Sequence, residues 1–376
     1  ASDVYKRQDY KYQARQEVLN ARVKVANFID PRNTLTFGAS NGKSFRDLNT
    51  WGLPASFGLF SSGYTSTKNK ALFAQNDWKV TAVDRITLGV RREWFEQDAT
   101  ASVFQYGPPY TDARQAGKNN LNAYELQYSR DFASRVTAYA KTGKSYRLPN
   151  VDDLNRYCAS TCVDNLILQP QINKDFELGA VYKGEVNRGH LKFYRTNIDN
   201  EILFNKYTNF ELGYNVNVAK TRRQGIEFFN AYRYSSALSI NTSLDLVDAT
   251  FRTDAMEDVT GINNHRISGT PKYLTSVGVD YALNARQAVS WKTRLVGNQY
   301  PQGDSSNKFE LGAYSVTDLG YRWSDKKWSV MVNVNNVFDK RYGTPILAST
   351  TSSNYPYGIY PNWGRNYLMT LRYAWQ

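Results

Sequence analysis

The lengths of the links between its alternating segments constrain this chain more than the segments themselves. Stretches in which apolar and polar residues alternate with a period of two, the mark of a half-buried strand, fall at 13–27, 33–43, 68–81, 84–98, 121–130, 134–146, 173–183, 189–203, 214–234, 238–252, 270–282, 287–299, 311–323, 328–337 and 366–375. Tight turns at 30–32, 82–83, 131–133, 184–188, 235–237, 284–286 and 324–327 alternate with long links at 44–67, 99–120, 147–172, 204–213, 253–269, 300–310 and 338–365. In an up-and-down meander, every short turn then falls on one side and every long link on the other. A sandwich mixes its loop lengths at both ends, and a propeller repeats every ~40–50 residues. The pattern predicts an all-β fold, a transmembrane antiparallel up-and-down β-barrel with short turns on the periplasmic side.

Composition agrees. No apolar run approaches the ~20 residues of a spanning helix, whereas 28 tyrosines and 8 tryptophans suit the aromatic girdles of a barrel. The net charge of +13 raises a nucleic-acid reading, but the basic residues are scattered along strands, as in RVTAYAKTGKSYR, without a basic run or recognition helix. Scattered cations fit a wet lumen or anionic lipid headgroups, so no nucleic-acid partner is expected. In the closing segment Tyr367, Met369, Leu371, Tyr373 and Trp375 share one face, as do Trp328, Val330, Val332 and Val334 in the segment before it. In the barrel this face is expected against lipid. Closure needs an even number of strands, and about fifteen are counted. The expectation is a chain that begins part-way round a larger barrel, with 1–12 as a ragged edge, no signal peptide, and 1–376 as one partial barrel domain whose sheet edges are unpaired or poorly closed.

The chain resembles the C-terminal part of TonB-dependent outer-membrane receptors. NVNNVFDKRYGTP followed by YPNWGRNYLMTLRYAW is similar to the closing unit of that family, and SYRLPNVDDL, LQPQINKDFELGAVYKG, FYRTNIDNEI, KTRRQGIEFFNAY and ISGTPKYLTSVGVDY follow its order upstream. The signature residues are Asn335, Asn336, Phe338, Asp339, Arg341, Tyr342, Gly364, Arg365 and Tyr367. The resemblance implies about the last 15 strands of a 22-stranded barrel, siderophore-receptor-like, with the family's plug domain and TonB-reading segment absent. Asp153 stands where the family has Glu, and Gln376 where it ends on an aromatic residue.

At the end of a strand, Asn335, Asn336, Asp339 and Arg341 are expected to satisfy loose backbone groups, with ligand contact as the alternative; Gly364 marks a permissive turn. Substrate contacts are expected in the long links and upper lumen, from Tyr106, Tyr110, Arg114, Arg147, Tyr157, Tyr207, Tyr300, Tyr355, Tyr357, Tyr360 and Trp363. Such groups stack on flat chelating rings and pair with an anionic chelate; the competing reading makes them girdle aromatics and binders of lipid phosphate. Cys158 and Cys162 read as a loop disulfide, with a metal-binding pair or free thiols as alternatives. No metal site or cofactor is expected. His190 lies beside a short turn and His265 in a long link, which separates them along the barrel and argues against a nucleophile–base pair and so against an enzyme.

The function expected is TonB-dependent import of a scarce chelate, a ferric siderophore, across the outer membrane of a Gram-negative bacterium. Cobalamin, haem or oligosaccharide receptors are alternatives within the family, a passive porin and an outer-membrane hydrolase outside it. The partners implied are TonB with its inner-membrane energising complex, the chelate, and outer-membrane lipid and lipopolysaccharide.

Overall fold

The computed structural model describes residues 9–51, 59–103, 111–132, 135–154, 166–205, 214–256, 259–348 and 357–375. Its strands in chain order are β1 (Asp9–Ala26), β2 (Asn33–Trp51), β3 (Leu59–Lys79), β4 (Asp84–Val103), β5 (Thr111–Phe132), β6 (Val136–Arg147), β7 (Gln171–Lys183), β8 (Asn187–Asn205), β9 (Tyr214–Arg233) and β10 (Leu238–Phe251). Then come β11 (Ala255–Met256), β12 (Val259–Thr260), β13 (Tyr273–Ala282), β14 (Gln287–Val296), β15 (Tyr314–Ser324), β16 (Trp328–Asn335), β17 (Gly343–Ala348), β18 (Tyr357–Pro361) and β19 (Asn366–Tyr373). Fifteen of them form one sheet whose order follows the chain, from β1 through β10 to β13–β16 and β19, while β11–β12 and β17–β18 are separate hairpins within long links. No helix occurs among the described residues.

By contacts the chain divides into two compact units: Ala1–Tyr128, Lys141–Asp175 and Asn197–Thr221 make the first, and Ser129–Ala140, Phe176–Thr196 and Arg222–Gln376 the second.

In the first unit, side chains separate by parity. Leu72, Leu88, Val90, Trp94, Tyr124, Leu126 and Tyr128 are exposed. The register pairs Ala71 with Glu93, Asn69 with Phe95 and Thr67 with Gln97 on the opposite face, and there Thr65, Thr67, Ala71, Glu93, Phe95, Gln97 and Ala99 are buried. An apolar exposed face and a polar covered one is the inverse of a soluble sandwich, and it is what a lipid-facing wall with a wet interior requires. In the second unit the register carries the apolar face from Val279 through Trp291 and Leu319 to Val334 and Tyr367. Trp328 packs on Tyr373 at 4.6 Å between ring centroids, and Tyr373 on Trp375 at 4.9 Å. The face predicted for the closing pair is the one the register assembles.

Strand bounds differ at the ends nearest the long links. The β2–β3 ladder runs from Asn33↔Trp78 to Trp51↔Leu59, through most of the 44–67 link, and β5 begins at Thr111 rather than near residue 121. SFRDLNTW and TDARQAGKNN pair their backbones without an apolar face, so hydrophobic alternation gives no sign of them. At ~3.3 Å per residue, the 21 residues of β3 far exceed the ~10 needed to cross the bilayer, and the surplus pairs in water. The first strand begins before residue 13, because Asp9–Tyr12 pair with Leu48–Trp51 as strand.

The short turns carry their own caps. Asp84 N donates to Thr81 Oγ1 at 2.9 Å, Leu238 N to Ser235 Oγ at 3.0 Å, and Trp328 N and Lys327 N to Asp325 Oδ1, both at 2.8 Å. The backbone N–H of Trp328, followed by that of Lys327, holds the Asp325 carboxyl below the usual carboxylate range. A depressed folded pKa means that the stabilisation is present above the unfolded value near ~3.9 and is lost as pH falls through the lower folded value. Amide exchange at Trp328 and Lys327 is therefore expected to stay slow down to about pH 4 and to rise below it. In Asp325→Asn that acid-induced rise disappears.

Candidate functional site

In the first unit the polar inner face of β2–β4 is organised around Glu93. Its side chain is 1% exposed. It accepts from Asn69 Nδ2 at 2.7 Å, Tyr146 Oη at 2.7 Å and Arg91 Nε at 2.7 Å, with Arg91 Nη2 at 2.6 Å. Arg91 also donates through Nε to Tyr146 Oη at 3.0 Å and through Nη2 to Ser40 Oγ at 3.0 Å. The carboxylate so ties β3, β4 and the end of β6 together, and Arg91 extends the network to β2.

The link after β6 then folds onto this face. Arg147 Nη2 meets both oxygens of Asp153 at 2.8 Å, while Asn150 Oδ1 accepts from the amides of Asp152 and Asp153, each at 2.8 Å. Thr65 Oγ1 donates to Val151 O at 3.2 Å, Arg46 Nη1 to Asp152 Oδ1 at 3.2 Å and Gln97 Nε2 to Leu168 O at 2.7 Å. Leu154, Leu168 and Ile202 close a small buried core beneath. Arg147, one of the residues expected to meet substrate, is paired with Asp153 in the turn that brings SYRLPNVDDL inward.

The second unit offers a cleft of about 510 Å³ lined by Arg294, Asp318, Asn336, Tyr342, Trp363 and Asn366, among others. Arg294 Nη2 pairs with Asp318 Oδ2 at 3.2 Å. Tyr342 packs on Tyr314 at 5.1 Å, and Trp363 is 81% exposed. The floor is the family signature. Asn336, 2% exposed and left-handed at φ 52°, accepts from Lys340 N at 2.8 Å and donates to Lys340 O at 2.9 Å. Its own N–H goes to Asp318 Oδ1 at 2.9 Å. Asp339 Oδ1 accepts from Arg365 N at 2.8 Å, Arg365 Nε donates to Val337 O at 2.9 Å, and Asn335 Nδ2 donates to Asn366 Oδ1 at 2.8 Å. A Cβ on Gly364 would stand 2.7 Å from Asp339 Oδ1, which explains a glycine there. Phe338 and Arg341 are exposed, and Tyr367 lies on the lipid-side face.

Of the other expected contacts, Tyr360 is exposed in β18 and paired with Thr344, β18 begins at Tyr357, and Tyr300 is half-buried, its carbonyl accepting from Gly269 N at 2.7 Å. Arg114 shares the parity of Tyr124 and Leu126, so it belongs to the outer face, where it is bidentate to Asp98 at 2.6 and 3.1 Å. Tyr106, Tyr110, Tyr157, Tyr207, Tyr355, Cys158 and Cys162 lie outside the described residues. His190 stacks on Phe229 at 5.8 Å in β8, and His265 Nδ1 lies 3.2 Å from Ser305 O in the link before β13.

The network around Glu93 was absent from the sequence expectations. So was a second inner-face group, Lys192, 2.7 Å from Glu227 and over the ring of Tyr194. Charges on the polar parity of strands β4, β8 and β9 were the available signal.

The family model described as TonB dependent receptor-like, beta-barrel matches residues 2–337. The chain belongs to this family. As a TonB-dependent receptor barrel it is 23% identical over 340 residues to the pesticin receptor of Yersinia pestis, covering 88% of this chain and 47% of that protein. To the ferrichrome outer membrane transporter/phage receptor of Escherichia coli K12 it is 24% identical over 270 residues, 68% of this chain and 32% of that one. Among solved structures, the ferric yersiniabactin uptake receptor FyuA of Yersinia pestis superposes with a TM-score of 0.81 at 18% identity, over 97% of this chain and 55% of that one. The copper transporter OprC gives 0.75 at 16%, over 97% and 57%. At these identities the superpositions show the fold. The TonB-dependent receptor barrel described here spans between 32% and 57% of the length of these proteins.

Proposed function

We propose that residues 1–376 are barrel sequence of an outer-membrane receptor of a Gram-negative bacterium, one that imports a scarce ferric chelate, a ferric siderophore, by transport energised through TonB. The observation that carries this reading is the family match over 2–337. Relatives named for pesticin, ferrichrome and ferric pyoverdine support it. In this reading no bond of the substrate is broken, and the extracellular links and inner wall hold the chelate. Arg294, Tyr342 and Trp363 supply what an anionic, ring-bearing chelate needs: a guanidinium to pair with it and aromatic faces to stack on.

Quenching of tryptophan fluorescence by ferric catecholate, hydroxamate and carboxylate chelates, cyanocobalamin and haemin tests the ligand. One ferric chelate class is expected to bind at about micromolar Kd or tighter. Arg294→Ala with Trp363→Ala is expected to weaken it at least about tenfold, ~1.4 kcal/mol. Binding of cyanocobalamin or haemin alone contradicts the siderophore reading; unchanged affinity in the double variant removes the cleft from it.

A further inference from the structure

Below the Arg294–Trp363 cleft, the inner wall of the second unit carries cations that no carboxylate holds among the described residues. The apolar face of this wall runs through Val279, Trp291, Leu319 and Val334, so side chains of the opposite parity line the interior. The register stacks these interior positions in rows. Gly278, Lys292 and Asp318 share the row below Arg294, then come Asp280, Ser290, Gly320 and Asn333, then Ala288, Arg322 and Met331. One row further toward the short turns, Ser324 stands against Ser329 and Ser329 against Arg372. From Arg294 to Arg372 is about eight residues, roughly 26 Å of strand at ~3.3 Å each. With the tilt of the strands, the cations so descend through most of the ~25 Å apolar band.

The inner-face cations Arg91 and Lys192 are tied to carboxylates, Arg91 to Glu93 at 2.6 Å and Lys192 to Glu227 at 2.7 Å. On this wall Arg294 is held by Asp318 at 3.2 Å, whereas Lys292, Arg322 and Arg372 have no ion pair or side-chain hydrogen bond among the described residues. Holding the wall together does not require them. At the lower end a cavity of about 480 Å³ opens, lined by Asp280, Ser290, Gly320, Arg322, Met331 and Asn333 among others. It matches the cleft above, about 510 Å³, and both have the size of a small-molecule site. Its depth comes from small side chains: a Cβ on Gly320 would stand 2.4 Å from Ser290 Oγ and 3.1 Å from Asn333 Oδ1.

We infer that this lower cavity is a second chelate site, which an anionic ferric chelate occupies after it leaves the Arg294–Trp363 cleft. Lys292 draws the chelate down, and Arg322 and Arg372 receive it. The inference rests on the uptake reading proposed above and adds to it a step at which charge is sensed again after capture. Passage needs sites attractive enough to enter and weak enough to leave, and single cations spaced down a wet wall meet both needs better than one tight cluster. Because they lie below the cleft, these cations act on transport and leave capture unchanged.

The test uses the full-length receptor in cells whose own gene is deleted, with radiolabelled ferric catecholate, hydroxamate and carboxylate chelates as probes and rates normalised to the receptor in the outer membrane. Binding is read with the inner-membrane proton gradient collapsed, and accumulation with it intact. For a chelate that the wild type accumulates, Lys292→Gln with Arg322→Gln is expected to keep the surface Kd within about twofold and to lower the maximal accumulation rate about tenfold, the low end of what charge focusing contributes. Lys292→Arg with Arg322→Lys, which keeps both charges, restores the rate. Lys68→Gln with Lys70→Gln, which removes the same charge from the outer parity of β3 shared by Leu72, leaves it unchanged. Accumulation by the Lys292/Arg322 glutamine variant at the wild-type rate overturns the second site and leaves the uptake reading standing. An equal loss in the Lys68/Lys70 variant reduces the effect to net charge, and a loss of surface binding as large as the loss of rate makes Lys292 and Arg322 part of the upper cleft; either overturns the second site. Failure of the wild type to accumulate any of the chelates removes the uptake reading itself, and the second site with it.

Discussion

Replacing Glu93 by alanine is expected to lower the unfolding free energy of the barrel by about 3 kcal/mol, the size associated with removing one partner of a buried ion pair. The carboxylate is 1% exposed and receives Asn69, Tyr146 and Arg91. Its loss strands a guanidinium that is only a third exposed, together with two neutral donors, each costing ~1 kcal/mol or more when left without a partner. Glu93→Gln keeps acceptor geometry for Asn69 and Tyr146 but loses the charge, and is expected to cost roughly half as much. Unfolding in urea, followed by tryptophan fluorescence in lipid vesicles, measures both. Because Tyr146 ends β6 and leads into the inward link, the alanine variant is also expected to expose 148–154 to protease while the short turns remain protected. Equal stability of wild type and Glu93→Ala would show that the network does not organise this wall.

The second large effect is expected at Asn336. It sits at φ 52°, a conformation that costs a non-glycine residue ~1–2 kcal/mol unless its side chain bonds locally. Asn336 offsets that cost with its two bonds to Lys340. Asn336→Ala loses the bonds and retains the strain, so a loss of about 2–3 kcal/mol is expected. Asn336→Gly, which removes the strain but not the loss of hydrogen bonds, is expected to recover about 1 kcal/mol of it. In the same urea series, a glycine variant less stable than the alanine variant would contradict this division. The cleft containing Arg294 and Trp363 rests on this clasp, so Asn336→Ala should also weaken chelate binding without touching the chelate.

The fold was legible because lipid imposes a sharp rule on each strand. Val330, Val332, Leu371 and Met369 must share a face, and the register places them together. Short turns were legible as brief gaps between alternating segments, and in the structure Thr81, Ser235 and Asp325 cap them with their side chains. Beyond the bilayer the rule lapses: SFRDLNTW pairs as strand with no apolar face, and the hairpin β17–β18 lies in a link that reads as irregular. The signature residues near Asn336 could be placed because strand ends leave backbone groups to satisfy. The ion pair of Arg147 with Asp153 is not legible in the sequence, because a loop arginine looks free there and only three dimensions bring Asp153 to it. The face of Arg114 is not legible either, since the first ten residues of β5 carry no apolar alternation to set their parity. Glu93 carries no sign of its role in the sequence because its partners come from three strands, β3, β4 and β6.

The most direct test of the account is accumulation of the radiolabelled ferric chelate that the binding panel selects, in cells with the gene deleted and then restored, before and after collapse of the inner-membrane proton gradient. The account predicts accumulation against the external concentration that depends on the gene and stops when the gradient is collapsed. Entry that only equilibrates with the medium and continues unchanged without the gradient would contradict it and make the protein a passive pore.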